Sequence, residues 1–516
     1  MSSRPQPIAL LGIPVSKENM DQTVLSILNL IEAYRKDLRP RYVATLNVDF
    51  LANINSWFSA ESSFPELQHA LRQAHLVTID GMPLIWLSRW LGSPAYERVT
   101  GVDLLPQLAL ELQKHKLSIF LLGGHEKTLK LATLYLQALY PDLKIVGAAH
   151  PHIDIAGEGL ENAMERDSLL LEQINQASPD VLLINLGNPK QELWFERVRS
   201  MLRVPVSIGV GGTFDMVTGM VSRAPPWMQN TGLEWIFRLL QEPERLFKRY
   251  FVDALKFPCM AFPVTFYHNW NLSTYRLRRL FYDRSLIMRN PQLFISAHHT
   301  IAVYPLPRRI TEAASQEIHN NSDDLFNQDL IVLDFRTVEH IDLEGIALLI
   351  QLWKRAAKDK KTLFALGISP AIRRLLTLHR ALDCMKPYLC SSAQDVLARL
   401  VAEGSSAGIY DSVQQMHNRV IISFFGRLDN HLNYEDYIKQ IEPILFQKEC
   451  ILDLSYCSYI DNTGIAFLLK LRKTQPHHFI SLQLTGLQKY VRKALRRAKV
   501  LPLFKEIKNI DYLYKP

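Results

Sequence analysis

Between about Tyr42 and Gly212, short runs of β-branched and apolar residues recur: YVATLNV, HLVTI, SIFLLGG, KIVGA, DVLLINLG and VPVSIGVGG. Longer stretches with helical spacing of apolar positions separate them. This alternation predicts a parallel sheet covered by helices, a doubly wound α/β domain. Several runs end in Gly or a small polar residue before a helix begins, which places ligand groups at the carboxyl edge of the sheet, where helix N-termini favour phosphate. From Ala224 to about Lys256 the pattern becomes helical and amphipathic, with Trp227, Leu233, Trp235, Leu239 and Leu246 interleaved with Arg238, Arg245, Lys248 and Arg249. Residues 268–295 carry Arg276, Arg278, Arg279, Arg284 and Arg289 among Tyr, Leu and Phe, a composition suited to a basic linker or a membrane-surface helix. Beyond them the chain repeats itself: LIVLDFRTVEHIDLEGIALLIQL from Leu330 is matched by CILDLSYCSYIDNTGIAFLLKL from Cys450. Each copy predicts a buried strand, a turn and an apolar helix, then a strand and a basic helix at residues 370–380 and 487–499. Gly404 to Gly408, with two serines between, reads as a hinge between the copies.

Composition narrows the class. A chain of 516 residues exceeds the roughly 250 to 300 at which one core stops growing, so two or three domains are expected. With 48% hydrophobic and 21% charged residues, most of it should fold. Cys259, Cys384, Cys390, Cys450 and Cys457 form no CxxC pair, which points to reduced cytosolic thiols rather than zinc or disulfides. No signal peptide is read at the N-terminus. No run reaches the ~18 apolar residues of a membrane span; the best, Phe257 to Tyr267, is interrupted by Pro258 and Pro263. A net charge of +8, concentrated between Arg223 and Arg289, suits nucleic acid, anionic lipid or diphosphates. Because the Arg residues lie among aliphatic and aromatic anchors, nucleic acid is the poorest of these fits.

Thr45, Asn47 and Asp49 end one predicted strand and Asp80-Gly81 ends the next, so these polar ends should face one crevice. A carboxylate there can accept the proton of a sugar hydroxyl attacking an anomeric carbon, which makes Asp80 the candidate general base. The competing reading of Asp-Gly is a turn or helix cap. Gly123-Gly124 and Gly211-Gly212 permit close backbone approach to a nucleotide, or simply tight turns.

The segments ERVTGVDLLPQLA, FLLGGHEKTLKLA, INLGNPKQELW and IGVGGTFDMVTGMVSRAPPWMQNTGLEWIFRLLQEPERLFKRY occur with IDGMPL in an order and spacing that resemble the WecG/TagA/CpsF glycosyltransferases over roughly residues 8–255. The resemblance implies an inverting, UDP-sugar-dependent enzyme without cofactor or obligatory metal. It would move N-acetylmannosamine or a related sugar onto a polyprenyl-diphosphate-linked sugar in bacterial polysaccharide or cell-wall polymer synthesis. It places Asp80 at the family base. It assigns Thr45, Asn47, Arg98, Asp103, Gly123, Gly124, Gly187, Lys190, Gln191, Glu192, Gly211, Gly212 and Asp215 to the donor and sugar pocket. An ion pair bracing the fold is the alternative for Arg98, Asp103 and Asp215. Arg223, Arg238, Arg245 and Arg249 match basic positions of the family's arm, expected at the acceptor diphosphate and the membrane. The expected setting is cytoplasmic and peripheral on the inner membrane face, with self-association implied by family members.

The two C-terminal copies resemble STAS domains. Their helix starts read Asp342-Leu343-Glu344-Gly345 and Asp461-Asn462-Thr463-Gly464. By that resemblance Thr463 is a candidate phosphorylation site, while Glu344 takes the place of a permanently charged form. The expected organisation is a transferase domain at 1–222, a basic arm and linker at 223–295, and STAS-like domains at 296–403 and 409–516. The STAS pair would recruit or answer a regulatory protein or kinase. The rival reading is a partner-switching protein whose transferase domain only senses nucleotide sugar.

Overall fold

The computed structural model describes residues 5–57, 62–281, 292–295, 300–328, 330–390, 410–415, 419–428, 434–445, 449–473, 482–487 and 489–507. The chain opens with a hairpin absent from the sequence reading: β1 (Ile8–Leu10) pairs antiparallel with β2 (Ile13–Val15). Helix α1 (Met20–Asp37) follows, its start held by a capping box between Asn19 and Gln22, a device worth about 1 kcal/mol. Then come β3 (Arg41–Leu46), α2 (Val48–Ile54), α3 (Pro65–Gln73), β4 (Leu76–Ile79), α4 (Met82–Trp90), α5 (Gly101–Lys114), β5 (Ser118–Gly123), α6 (Glu126–Leu139), β6 (Lys144–Ala149), α7 (Ala163–Ala177), β7 (Val181–Asn185), α8 (Lys190–Val198), β8 (Val206–Gly209) and α9 (Thr213–Val217).

Strands β3 to β8 form the doubly wound sheet, in the order β4-β3-β8-β7-β5-β6, every neighbouring pair parallel. Strand residues alternate between two cores. Tyr42, Ala44 and Leu46 join Phe120, Leu122 and Trp194 on one face; Val43 joins Ile119, Leu121, Leu183 and Ile208 on the other. A sheet apolar on both faces must be covered twice, which the helices do. From β3 the chain steps outward to β4, while β5 to β8 lie on its other side. The crevice at such a reversal is where open α/β sheets bind ligands.

The arm consists of α10 (Pro226–Asn230), α11 (Glu234–Gln241) and α12 (Pro243–Phe281). Helix α12 continues through Pro258 and Pro263, so residues 268–281 are helix rather than linker. Its inner face buries Leu246, Met260, Ala261 and Val264. Among the described residues, no helix is long and apolar enough to cross a membrane.

The internal repeat is realised as two sheets of the same plan. In the first, Gln292–Ile295 pairs antiparallel with Thr300–Pro305; parallel Leu330–Asp334, Thr362–Leu366 and Leu389–Cys390 complete the row. In the second, Tyr410–Gln415 is antiparallel to Arg419–Leu428, followed in parallel by Glu449–Ile460, Gln483–Thr485 and Lys505–Ile507. Gln292–Ile295, which the sequence reading assigned to the linker, is thus an edge strand of the first module. The predicted hinge at Gly404 to Gly408, with Arg284 and Arg289, lies outside the described residues. Leu343 of the first module belongs to the transferase core, Ala9 of the hairpin to the first module's core, and Leu160 and Ala163 to that of the second.

Candidate active site

Parallel pairing of β3 with β4 sets Thr45 beside Thr78 and Leu46 beside Ile79, so the two polar strand ends emerge together. The Asp80 amide donates to the Leu46 carbonyl at 2.7 Å, holding the next residue at the mouth of the sheet. Gly81, with φ 152°, caps α4, and that start has no side-chain capping bond. The Asp80 carboxylate is therefore not spent on the helix. Burial pushes its pKa up to about 6, opposed by Arg98 and Arg238 and reinforced by Glu234 and Asp103.

An ion network surrounds it. Arg98 binds Glu234 of α11 at 2.6 Å and lies 3.7 Å from Asp103. Asp103 is held by Arg223 at 2.6 Å and accepts from the Thr100 hydroxyl at 2.9 Å. Burial would raise the Asp103 pKa, but Arg223, the Thr100 hydroxyl and Arg98 together outweigh it and the net shift is down. Arg98, Asp103 and Arg223 thus form ion pairs, and those pairs tie the arm across the crevice beside Asp80. Nε of Arg238 is buried without a hydrogen-bond partner among the described residues, an unmet donor that an anionic group can satisfy.

The remaining candidates divide between rim and foundation. Asn47 caps α2, accepting from the Asp49 amide at 3.1 Å. Thr45 is buried, its hydroxyl donating to the Gly209 carbonyl at 3.0 Å and tying β3 to β8. Gln191 is 1% exposed; it accepts from the Gly211 amide at 3.1 Å and donates to Glu192 at 2.7 Å. Glu192, fully buried, also accepts from the Tyr42 hydroxyl at 3.0 Å. Burial raises its pKa to about 7, partly offset by those bonds. It lies beneath the crevice rather than on its wall. A Cβ on Gly123 would meet the Asn185 carbonyl oxygen at 2.7 Å, so that glycine serves the approach of β5 to β7. Gly187, Gly211 and Gly212 border open space. Lys190 opens α8 after the cis Asn188–Pro189 bond. Asp215 accepts from the Thr128 hydroxyl at 2.8 Å, bracing α9 against α6.

On the arm, Arg249 pairs with Asp49 at 3.1 Å, and Asn188 donates to the same carboxylate at 2.8 Å. A cavity of about 400 Å³ between α2 and α12 is lined by Asp49, Asn53, Lys248, Arg249, Asp253 and Lys256. Burial, reinforced by Asp49, raises the Asp253 pKa to about 7. The Arg245 side chain lies outside the described residues. Thr463 opens the helix Asn462–Lys473 of the second module, its hydroxyl buried without a partner among the described residues; it is not brought to this crevice. Glu234 and Asp253 escaped the sequence reading. Glu234 sits within the quoted GLEW block, but its role follows only from α11 folding back over Arg98.

A doubly wound domain with a charged crevice at its carboxyl edge, strapped by a helical arm and carrying two small α/β modules, has the architecture of a glycosyltransferase joined to two accessory domains. The profile of the "Glycosyl transferase WecG/TagA/CpsF family" matches residues 8–267, just over half of the chain, and the chain belongs to that family. The STAS domain profile matches residues 295–393 and 410–511. The chain is 31% identical over 175 residues to the N-acetylglucosaminyldiphosphoundecaprenol N-acetyl-beta-D-mannosaminyltransferase of Bacillus subtilis (strain 168), covering 34% of this chain and 64% of that protein. It is 26% identical over 181 residues to the protein of the same name from Bacillus spizizenii (strain ATCC 23059 / NRRL B-14472 / W23), covering 35% and 66%. The chain thus spans just under two thirds of the length of each relative.

Proposed function

We propose that this chain transfers N-acetylmannosamine, or a closely related sugar, from a UDP donor to a polyprenyl-diphosphate-linked sugar, with inversion. The position of Asp80 carries the reading: a carboxylate at the carboxyl end of β4, free of helix capping and set among Arg98, Arg238 and Glu234. Asp80 accepts the proton of the acceptor hydroxyl as that oxygen bonds to the anomeric carbon. The bond from that carbon to the UDP oxygen breaks on the opposite face, and the diphosphate keeps the electron pair. The reading assigns the growing negative charge to guanidinium groups, among which the buried Nε atoms of Arg223 and Arg238 have no hydrogen-bond partner among the described residues. No metal or cofactor enters it.

The acceptor's lipid chain requires a protein that works at a bilayer surface. The outer face of α12 presents Phe247, Phe251, Leu255, Phe262, Phe266 and Trp270, all exposed, beside Lys248 and Arg249, a stripe suited to an interfacial helix. The chain would then sit peripherally on the cytoplasmic face. The rival partner-switching reading gains no such support from the first STAS module, whose helix start buries Glu344.

The test is UDP release from UDP-N-acetylmannosamine with a short-chain lipid-diphosphate N-acetylglucosamine. Acceptor-dependent release that drops at least ~10²-fold in Asp80→Asn, with folding retained, is the expected result. Full activity in that variant removes Asp80 as the base. Absence of turnover across a panel of UDP sugars overturns the transferase reading.

A further inference from the structure

We propose that Glu344, at the start of the first STAS module's long helix, is a positioning residue of the transfer site, acting through Ser93 and Lys17 on the two segments that bond the outer edge of the strand leading to Asp80. The inference rests on the transferase reading above. Both oxygens of this carboxylate are used by the transferase domain. Oε1 binds Lys17 Nζ at 3.0 Å, and Oε2 accepts from the Ser93 hydroxyl at 2.9 Å. Glu344 is 4% exposed, and Lys17 is nearly as buried. Burial alone would lower the Lys17 pKa; its bonds to Glu312 and Glu344 outweigh that, and the net direction is up. Lys17 is therefore held as a cation.

Each partner leads to the crevice by a short path. Ser93 begins the segment that carries Arg98. Its amide donates to the Ser88 carbonyl at 3.1 Å, and the Ala95 amide to the Ser88 hydroxyl at 3.0 Å. The segment then runs back along β4: the Val99 amide donates to the Ile79 carbonyl at 2.8 Å and the Thr78 hydroxyl to the Val99 carbonyl at 3.0 Å. Arg98, next to this anchor, faces Asp80 and Glu234. Further back along the same edge, Lys17 follows β2, and the Ser16 amide donates to the Val77 carbonyl of β4 at 2.8 Å. One carboxylate from the C-terminal half thereby clamps both segments that bond the outer edge of β4, the strand that leads to Asp80.

The clamp is embedded in packing. Leu343, next to Glu344, is fully buried in the transferase core, and a Cβ on Gly12 would meet the Arg380 carbonyl oxygen at 2.6 Å, so the hairpin and the module touch at backbone distance. At the same point of the second copy stands Thr463, whose hydroxyl has no described partner. The carboxylate is particular to the first module. A buried ion pair contributes geometric specificity more dependably than stability, and displacing a substrate-orienting group by about 1 Å can cost ~10²-fold in rate.

The experiment uses the full chain, comparing wild type with Glu344→Gln and Ser93→Ala. Measurements are kcat and KM for UDP release, the pH profile of kcat/KM, and hydrogen exchange of residues 91–100. Asp80 faces Arg98, Arg238, Glu234 and Asp103; loosening Arg98 removes a positive neighbour and should move the acidic limb of the profile to higher pH. The expected result is a ~10- to 100-fold fall in kcat for Glu344→Gln, a smaller fall for Ser93→Ala, an upward shift of the limb in both, and faster exchange at residues 91–100. A purely structural role would lower the folded fraction without moving the limb. Wild-type kcat, limb and exchange in either soluble variant overturn the proposal. If wild type itself turns over no donor, the transferase reading fails, and the exchange measurement alone decides whether the module braces residues 91–100.

Discussion

Asp80 illustrates how a residue proposed for catalysis can cost stability. Its carboxyl has a pKa of about 6 against an ordinary value of 3.8, chiefly through burial. The folded protein therefore keeps a proton that the unfolded chain has released between those values. The contribution of this group to stability is greatest below about pH 4 and declines as pH rises to about 6, above which it is level. Two consequences follow. Transfer that needs ionised Asp80 should lose activity as pH falls through about 6, visible as the acidic limb of kcat/KM. Asp80→Asn should raise the stability of the folded chain by about 3 kcal/mol at pH 7.5 and by only about 0.5 kcal/mol at pH 4, which denaturant melts at the two pH values would measure. An equal effect at both pH values would mean that the carboxyl is not held in a desolvating site.

At the scale of elements, α12 has two faces with different duties. Met260, Ala261, Val264, His268 and Asn271 are turned inward, while Phe262, Phe266 and Trp270 follow one another at every fourth residue on the outside. Their rings are stacked with centroids 6.2 and 6.3 Å apart. Such spacing keeps side chains on one line of a helix. Exposed aromatic surface of this extent is unfavourable in water and marks an interaction face. Replacing Phe262, Phe266 and Trp270 by Ser should reduce binding to vesicles containing anionic lipid by at least ~10-fold, because each buried aromatic contributes about 1.5 to 3 kcal/mol. Cosedimentation would measure this. Unchanged binding would assign the stripe to another partner.

For the whole molecule, the junction between arm and first STAS module is built from imidazoles. His268 of α12 shares a 3.1 Å hydrogen bond with His379 of the module, and His340 lies against His268 and Tyr275. Asn271, Asp342 and Arg309 complete the surroundings. A single proton between two ring nitrogens requires the accepting ring to be neutral. Burial lowers the His268 pKa to about 4, and burial also holds His379 well below its ordinary value. The unfolded chain gains protons near pH 6.5 that the folded junction refuses, so stability is intact above about pH 6.5 and is lost as pH falls toward 4. For His268 alone the loss is about 3 kcal/mol. Thermal melts across this range should show the decline, and His268→Gln should flatten it; an unchanged slope in that variant would place the acid sensitivity elsewhere.

The alternation of apolar strands and helices, the order of glycine-rich turns and the internal repeat were legible in the chain because they are local patterns with fixed periods. They determined the doubly wound domain, the STAS-like pair, and the placing of Asp80 and Asn47 at neighbouring strand ends, since adjacent parallel strands must end on one edge. Sequence did not separate wall from foundation: Gln191 and Glu192 belong to the same motif as Lys190, but burial puts them under the crevice. Nor did it show that Arg98, Asp103 and Arg223 form one network with Glu234, because those partners lie up to 136 residues apart and meet only when the arm folds back. The β1–β2 hairpin was missed because IALLGIPV is too short to show a period. Its structural context is a slot between two cores. The attachment of Glu344 to Lys17 across 327 residues is likewise a product of tertiary packing. An ion pair has no sequence period, and only the docking of one module on another sets which charges meet.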